Sequence, residues 1–204
     1  MSNHISAAID QHSNGELFTQ VTVRGTVHRK NRMAKSLAFV IASYNGDAGK
    51  SDFPRFVAFD NLNELDKAFS IGDRVTVTGY IHTNKKHPEG TLIPTSVKIE
   101  KTRLDAAFAK EPYKPDMNEV ILRGRLASQP FAPTPTTSLV TIETQNPDGS
   151  RAFVHTICFN RTAADLQTRH KGDTVEAMGY IRTKPMSEVK DRSHAQSLIV
   201  TAIR

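Results

Sequence analysis

Along most of the chain, apolar and polar positions alternate in short runs, the two-residue period of half-buried β-strands. Leu17 to Val27 places Val21, Val23 and Val27 on one face, Leu37 to Tyr44 is apolar and β-branched, and Phe53 to Phe59 reads as a third strand. Asn61 to Phe69 changes period: Leu62, Leu65 and Phe69 have helical spacing, and Gly72-Asp73 ends the segment. Alternation resumes over Arg74 to His82, with Val75, Val77, Gly79 and Ile81 on one side, and a last strand covers Leu92 to Ile99. The predicted order is βββαββ.

The pattern occurs twice. Val21-Thr-Val-Arg24-Gly25-Thr-Val27 returns as Val120-Ile-Leu-Arg123-Gly124-Arg-Leu126, an offset of 99. Phe53-Pro-Arg-Phe-Val-Ala-Phe59 returns as Phe153-Val-His-Thr-Ile-Cys-Phe159, an offset of 100 that holds through Gly72-Asp73 and Gly172-Asp173 to Gly79-Tyr80-Ile81 and Gly179-Tyr180-Ile181. The last strand, Leu198 to Arg204, is displaced by 106, because the loop before it is longer in the second copy; slippage confined to loops is what a duplicated fold allows. The chain is therefore predicted to be all-β, with two tandem five-stranded OB-fold barrels, each carrying one short helix between strands 3 and 4. The expected boundaries are a flexible arm over 1–16, a first barrel over 17–100, a linker over 101–116 broken by Pro112 and Pro115, and a second barrel over 117–204.

Composition narrows the function. With 38% hydrophobic and 24% charged residues, each half of the 204 can bury a core and keep a charged surface. No apolar run reaches the roughly 18 residues of a membrane helix, and the N-terminus lacks the basic-then-apolar order of a signal peptide, so a cytoplasmic protein is expected. The one cysteine, Cys158, lies within a strand-like run and reads as core. The net charge of +6 is shared: residues 17–100 hold 12 basic and 8 acidic groups, and residues 117–204 hold 11 and 8. A polyanionic partner fits both halves.

Catalysis finds no carrier. The eight histidines are dispersed, neither copy contains Gly-x-x-x-x-Gly-Lys, and no metal-ligand spacing occurs, so neither an enzyme nor a cofactor is expected. Asp73 and Asp173 recur, but each follows a glycine at a helix-to-strand corner, where a turn role is expected.

The second copy resembles the DNA-binding domain of bacterial single-stranded DNA-binding proteins. The likeness begins at Met117-Asn-Glu-Val-Ile-Leu-Arg-Gly-Arg-Leu126 and continues through Pro130, Thr134-Pro135, Phe153 to Phe159, Ala163 and Lys171-Gly172 to Gly179-Tyr-Ile-Arg-Thr183. The first copy resembles the same family through Leu37-Ala-Phe-Val-Ile-Ala-Ser43 and Phe53 to Phe59. By that resemblance, Phe53 and Phe59, and Phe153 and Phe159, hold unstacked bases. Strand geometry agrees independently, since residues an even number apart share a face: Phe53, Arg55 and Phe59 in one copy, Phe153, His155 and Phe159 in the other. Two rings with a cationic or protonatable residue between them make a stacking platform. Burial in the core is the competing reading for each ring, while Phe56 faces the other way. Tyr44 lies in the region where the family places another stacking aromatic. The chain has no tryptophan, so phenylalanine is its stacking platform.

Basic residues group by connection. Arg29, Lys30, Arg32 and Lys35 are expected between strands one and two; Lys85 and Lys86 between strands four and five; Arg182, Lys184, Lys190 and Arg192 in the second copy's counterpart of that loop. In OB folds these connections flank the groove and can neutralise phosphates. Arg24 and Arg123 face either groove or solvent, and Tyr80 and Tyr180 face outward to a subunit interface or a ligand. The resemblance implies sequence-tolerant binding and protection of single-stranded DNA in replication, recombination or repair, by a homodimer that assembles four barrels. It also implies an acidic C-terminal tail, which this sequence, stopping at Arg204, is expected to lack. The alternatives are an accessory protein of replication or conjugation acting mainly through protein contacts, and an RNA-binding OB protein.

Overall fold

The computed structural model describes residues 15–45, 49–85, 87–110, 113–184 and 196–204. The arm expected over 1–16 lies outside them apart from Gly15 and Glu16. The first copy forms β1 (Phe18–Met33), β2 (Ser36–Asn45), β3 (Lys50–Asp52), β4 (Arg55–Ala58), α1 (Leu62–Ala68), β5 (Arg74–Asn84) and β6 (His87–Ile99). After α2 (Arg103–Phe108), the second forms β7 (Met117–Leu126), β8 (Phe131–Thr134), β9 (Thr137–Gln145), β10 (Arg151–Phe159), α3 (Asn160–Gln167), β11 (Thr174–Thr183) and β12 (Gln196–Ile203).

Each copy closes five strands on themselves. The first ring runs β1-β2-β4-β6-β5 and returns to β1; the second runs β7-β9-β10-β12-β11 and returns to β7. Each has one parallel step, β4 to β6 and β10 to β12, on the far side of the helical crossover. This is the expected all-β OB architecture. Closure removes the open strand edges that would otherwise template aggregation.

Alternation fills the interiors. Val21, Val23, Leu37, Phe39, Ile41, Phe56, Val75 and Val77 are buried in the first copy, and Val120, Leu122, Leu126, Ile142, Val154 and Val175 in the second. Burying each such side chain contributes about 1.5 to 3 kcal/mol. Phe39 stacks on Phe56 and meets Phe69 edge-on, at centroid distances of 5.6 and 5.0 Å, which fixes α1 against its barrel. Cys158 is buried as expected, and burial pushes its thiol up to about 12, keeping it an uncharged core group.

The repeated Gly-Asp corner is structural in both copies. Gly72 and Gly172 adopt φ of 95° and 96°, a region that side-chain-bearing residues rarely enter. Asp73 Oδ2 accepts the Ser70 amide at 2.7 Å and Asp173 Oδ2 the His170 amide at 2.8 Å. The Gly72 and Gly172 amides donate to the Val27 and Leu126 carbonyls, joining each corner to the end of its first inward-facing run. Asn61 and Asn160, with φ of 48° and 50°, likewise take the left-handed conformation where the chain enters each helix, one residue out of step with the offset of 100.

Three expectations need correction. β1 does not end near Val27; it continues to Met33 and turns tightly into β2, so Arg29, Lys30 and Arg32 lie on a strand and only Lys35 in the turn. A shift between Val27 and Arg29 lets this long strand serve β5 with one half and β2 with the other. The third strand of the first copy shrinks to Arg55–Ala58, because Pro54 has no amide hydrogen for the ladder, whereas Val154 at the matching place leaves β10 whole. The small strands β3 and β8 carry no alternation long enough to be read in advance.

The chain contacts of the described residues define two compact units, Val21–Tyr80 with Thr91–Asn118, and Glu119–Arg204 with Ile81–Gly90 and residues 15–20. The linker belongs to the first. Arg74 bonds Asp116 Oδ1 at 2.6 Å and lies over the Tyr113 ring at 4.8 Å, while Asp116 Oδ2 accepts the Tyr44 amide. Burial alone would raise the Glu100 carboxyl, but the Thr76 hydroxyl and the Lys114 ammonium outweigh it and hold the group below its usual range.

Candidate nucleic-acid interface

The four phenylalanines are on the surface. Phe53, Phe59, Phe153 and Phe159 are 40, 56, 44 and 39% exposed, and Tyr44 55%. In the second copy the reason is plain alternation along β10: Ala152, Val154, Thr156 and Cys158 point inward, and Phe153, His155, Ile157 and Phe159 outward. In the first copy Phe53 and Phe59 bracket β4, with Arg55 exposed between them and Phe56 buried as expected. A ring left this open loses part of its hydrophobic stabilisation in the free protein, which makes it available to a flat ligand.

Each platform has polar neighbours. The His28 ring lies 5.2 Å from that of Phe53. In the second unit, His155 Nδ1 is 2.9 Å from the Thr141 hydroxyl, and Glu143, opposite Phe153, pairs with Arg151 at 3.0 Å. The Phe153 amide donates to Thr83 Oγ1 at 2.7 Å and Asn146 Nδ2 to His82 Nδ1 at 3.2 Å, so the segment Ile81–Gly90 is bonded to the β9–β10 hairpin within that unit.

Strand register divides the basic group of β1. Arg29 pairs with Val40, which pairs with Arg55, so these three share the outer face. Lys30 pairs with Phe39 and so turns toward the helix side. Its ammonium bonds the carbonyls of Asp66 and Phe69, pairs with Asp66 Oδ1 at 2.9 Å and lies 4.7 Å from the Phe69 ring centre. Lys30 therefore caps the C-terminal end of α1, where the helix dipole favours a cation. Arg32, on the same side, reaches the Met33 and Ser36 carbonyls and Asn63 Oδ1. Lys30→Met is expected to lower stability by about 1 kcal/mol, measured by urea denaturation, with Lys35→Met in the exposed turn as the unaffected control.

The remaining basic candidates are spread. Lys85 is exposed at the β5–β6 turn, Arg182 on β11, and Lys184 just beyond it; Lys86, Lys190 and Arg192 lie outside the described residues. Arg24 donates to Thr76 and to the Pro115 carbonyl, and Arg123 lies 3.8 Å from Glu176, so both face neighbours of their own barrel. Tyr80 and Tyr180 are half-buried. Three exposed rings escaped sequence reasoning: Phe108 on α2, Tyr113 in the linker, and Phe131 on β8. For Phe131, the setting between Pro130 and Pro133 was the available signal, since the strand itself is too short to alternate.

Among the described residues no cluster of His, Cys, Asp and Glu could hold a metal, and no helix is long and apolar enough to cross a membrane. The fold is of the OB type, and its exposed rings form a candidate binding surface.

The wild-type single-stranded DNA binding protein from Thermus aquaticus has the same fold, with a TM-score of 0.66 and 16% identity over 93% of each chain. A deletion mutant of it matches with a TM-score of 0.65 and 16% identity over 93% of this chain and 94% of that one. The single-stranded DNA-binding domain of a Synechococcus protein is 23% identical over 45% of this chain and 99% of that one, with a TM-score of 0.33. No family model matches the chain. No curated protein sequence matches it either.

Proposed function

We propose that this protein binds single-stranded DNA with tolerance of sequence, stacking bases on Phe53 and Phe59 in one barrel and on Phe153 and Phe159 in the other. The observation that carries the reading is the matched exposure of these rings at both ends of each barrel's third strand. Every base offers a π-face, so such rings accept any sequence, and only an unpaired strand can present its bases to them. The cations Arg29, Arg55, Lys35 and Lys85 would neutralise phosphates, with Lys86, Arg182, Lys184, Lys190 and Arg192 completing the set. Its likeness in fold to the Thermus aquaticus single-stranded DNA binding protein supports the same reading. Protection of DNA during replication, recombination or repair is the role that follows, with a homodimer bringing four barrels together.

The test is fluorescence anisotropy with labelled oligo-dT, competed by duplex DNA and by RNA. Oligo-dT should win, and its log affinity should fall with log salt by about 0.7 per phosphate neutralised. Equal affinity for duplex would remove the reading, and preference for oligo-U would redirect it to RNA. Light scattering at working concentration tests the dimer; a monomer mass would oppose it.

A further inference from the structure

We infer that the two copies bind by different chemistry, the first through a cationic face and the second through an apolar one in which Phe131 is a further base-stacking ring. This rests on the single-strand reading above and extends it to a residue outside the repeated motif.

Residues directly opposite on paired strands share a face, with Cβ atoms about 5 Å apart, so pairing lays out each outer surface in rows. In the first copy one row is Arg29, Val40 and Arg55, and the next is Asn31, Ala38 and Val57. The matching rows of the second copy are Thr141 with His155, and Phe131, Leu139 and Ile157. Where the first copy has Val40 and Arg55, the second has a hydroxyl and an imidazole, Thr141 and His155. Where the first has an asparagine and two small, covered side chains, the second has three large apolar ones, with Phe131 63% and Leu139 36% exposed. Phe159 lies two residues beyond Ile157 on the same face, so the apolar surface is continuous with the platform already described.

Charge follows the same division. From Ala127 to Ser150 the sequence contains no Lys or Arg, and Glu143 takes up Arg151 beside Phe153. From His28 to Asp52 the first copy carries Arg29, Lys35 and Lys50, besides Lys30 and Arg32, which turn toward α1. An exposed apolar surface joined to a stacking platform is completed by the next base of the same strand, whose flat ring needs no countercharge. A protein strand added to the edge of β8 is disfavoured, because Pro133 lies in that strand without an amide hydrogen to donate.

The experiment titrates labelled oligo-dT of about 32 nucleotides, enough for both faces at up to about 16 per OB fold, across a salt series. It compares wild type, the double variant Arg29→Ala/Arg55→Ala and Phe131→Ala. The arginine variant should flatten the log-log salt slope by about 1.4, two phosphates' worth. Phe131→Ala should keep the wild-type slope and weaken binding about fivefold or more at every salt. Because the chain has no tryptophan, Phe131→Trp adds a single reporter whose emission should be quenched as oligo-dT binds. Wild-type binding with Phe131→Ala unchanged and the Phe131→Trp emission unmoved would overturn this inference alone. A wild-type protein that binds no oligo-dT at any salt would overturn the single-strand reading and this inference with it.

Discussion

Replacing Phe53 and Phe153 together with alanine should weaken oligo-dT binding by roughly thirtyfold to 25,000-fold, the product of two stacking contacts at about 1 to 3 kcal/mol each. The two rings occupy matched places, Phe53 just before β4 and Phe153 near the start of β10, so one substitution in each copy removes the leading ring of each platform. Both rings are partly exposed, at 40% and 44%, and each barrel keeps its interior without them. The expected stability loss is therefore small beside the 3 to 5 kcal/mol of a buried Phe→Ala change. Anisotropy titration gives the first quantity and thermal melting the second. Unchanged affinity would return these rings to a packing role, and a melting loss as large as that of Phe56→Ala would show that they support the core.

The second large effect concerns folding. Gly25→Ala and Gly179→Ala should each cost about 3 kcal/mol, the upper end of the overpacking range. A Cβ on Gly25 would lie 2.1 Å from the Ala42 carbonyl oxygen, and one on Gly179 would lie 1.9 Å from that of Ile199. Those oxygens belong to strand backbones committed to the barrel, so relief requires the strands to separate. Each substitution should lower the melting temperature by roughly 6 to 12 °C for a chain of this size. An unchanged melt would mean that the strands part easily there, contrary to the tight crossing described. Gly72→Ala makes a useful contrast, because a Cβ there meets nothing and only its φ of 95° opposes the change.

Most of the fold was legible because closed barrels bury one side of every strand, which forces apolar residues into a period of two. Val21, Val23 and Val27, and then Val75 and Val77, announced their strands, and the duplicated Gly-Asp corner announced the turn that both copies use. The length of β1 was not legible: its outer half is polar on both sides, from His28 to Arg32, since only one end of that hairpin covers the core. Lys30 was grouped with its basic neighbours for the same reason. Composition cannot say that the strand continues, and only the continued strand turns Lys30 toward Asp66 while Arg29 faces outward. The rings of β10 were legible from spacing alone, but Phe131 needed the β8–β9 register to come beside Leu139.

The central claim is that bases lie on the outer faces of the strand-three aromatics in both barrels. Ultraviolet crosslinking of oligo-dT followed by mass spectrometry of the digested protein tests it most directly. Thymine adducts should fall on Phe53 or Phe59 and on Phe153 or Phe159, and should disappear at those positions in the alanine variants. Adducts found only elsewhere on the chain, with all four rings unmodified while the protein is saturated with oligonucleotide, would contradict it.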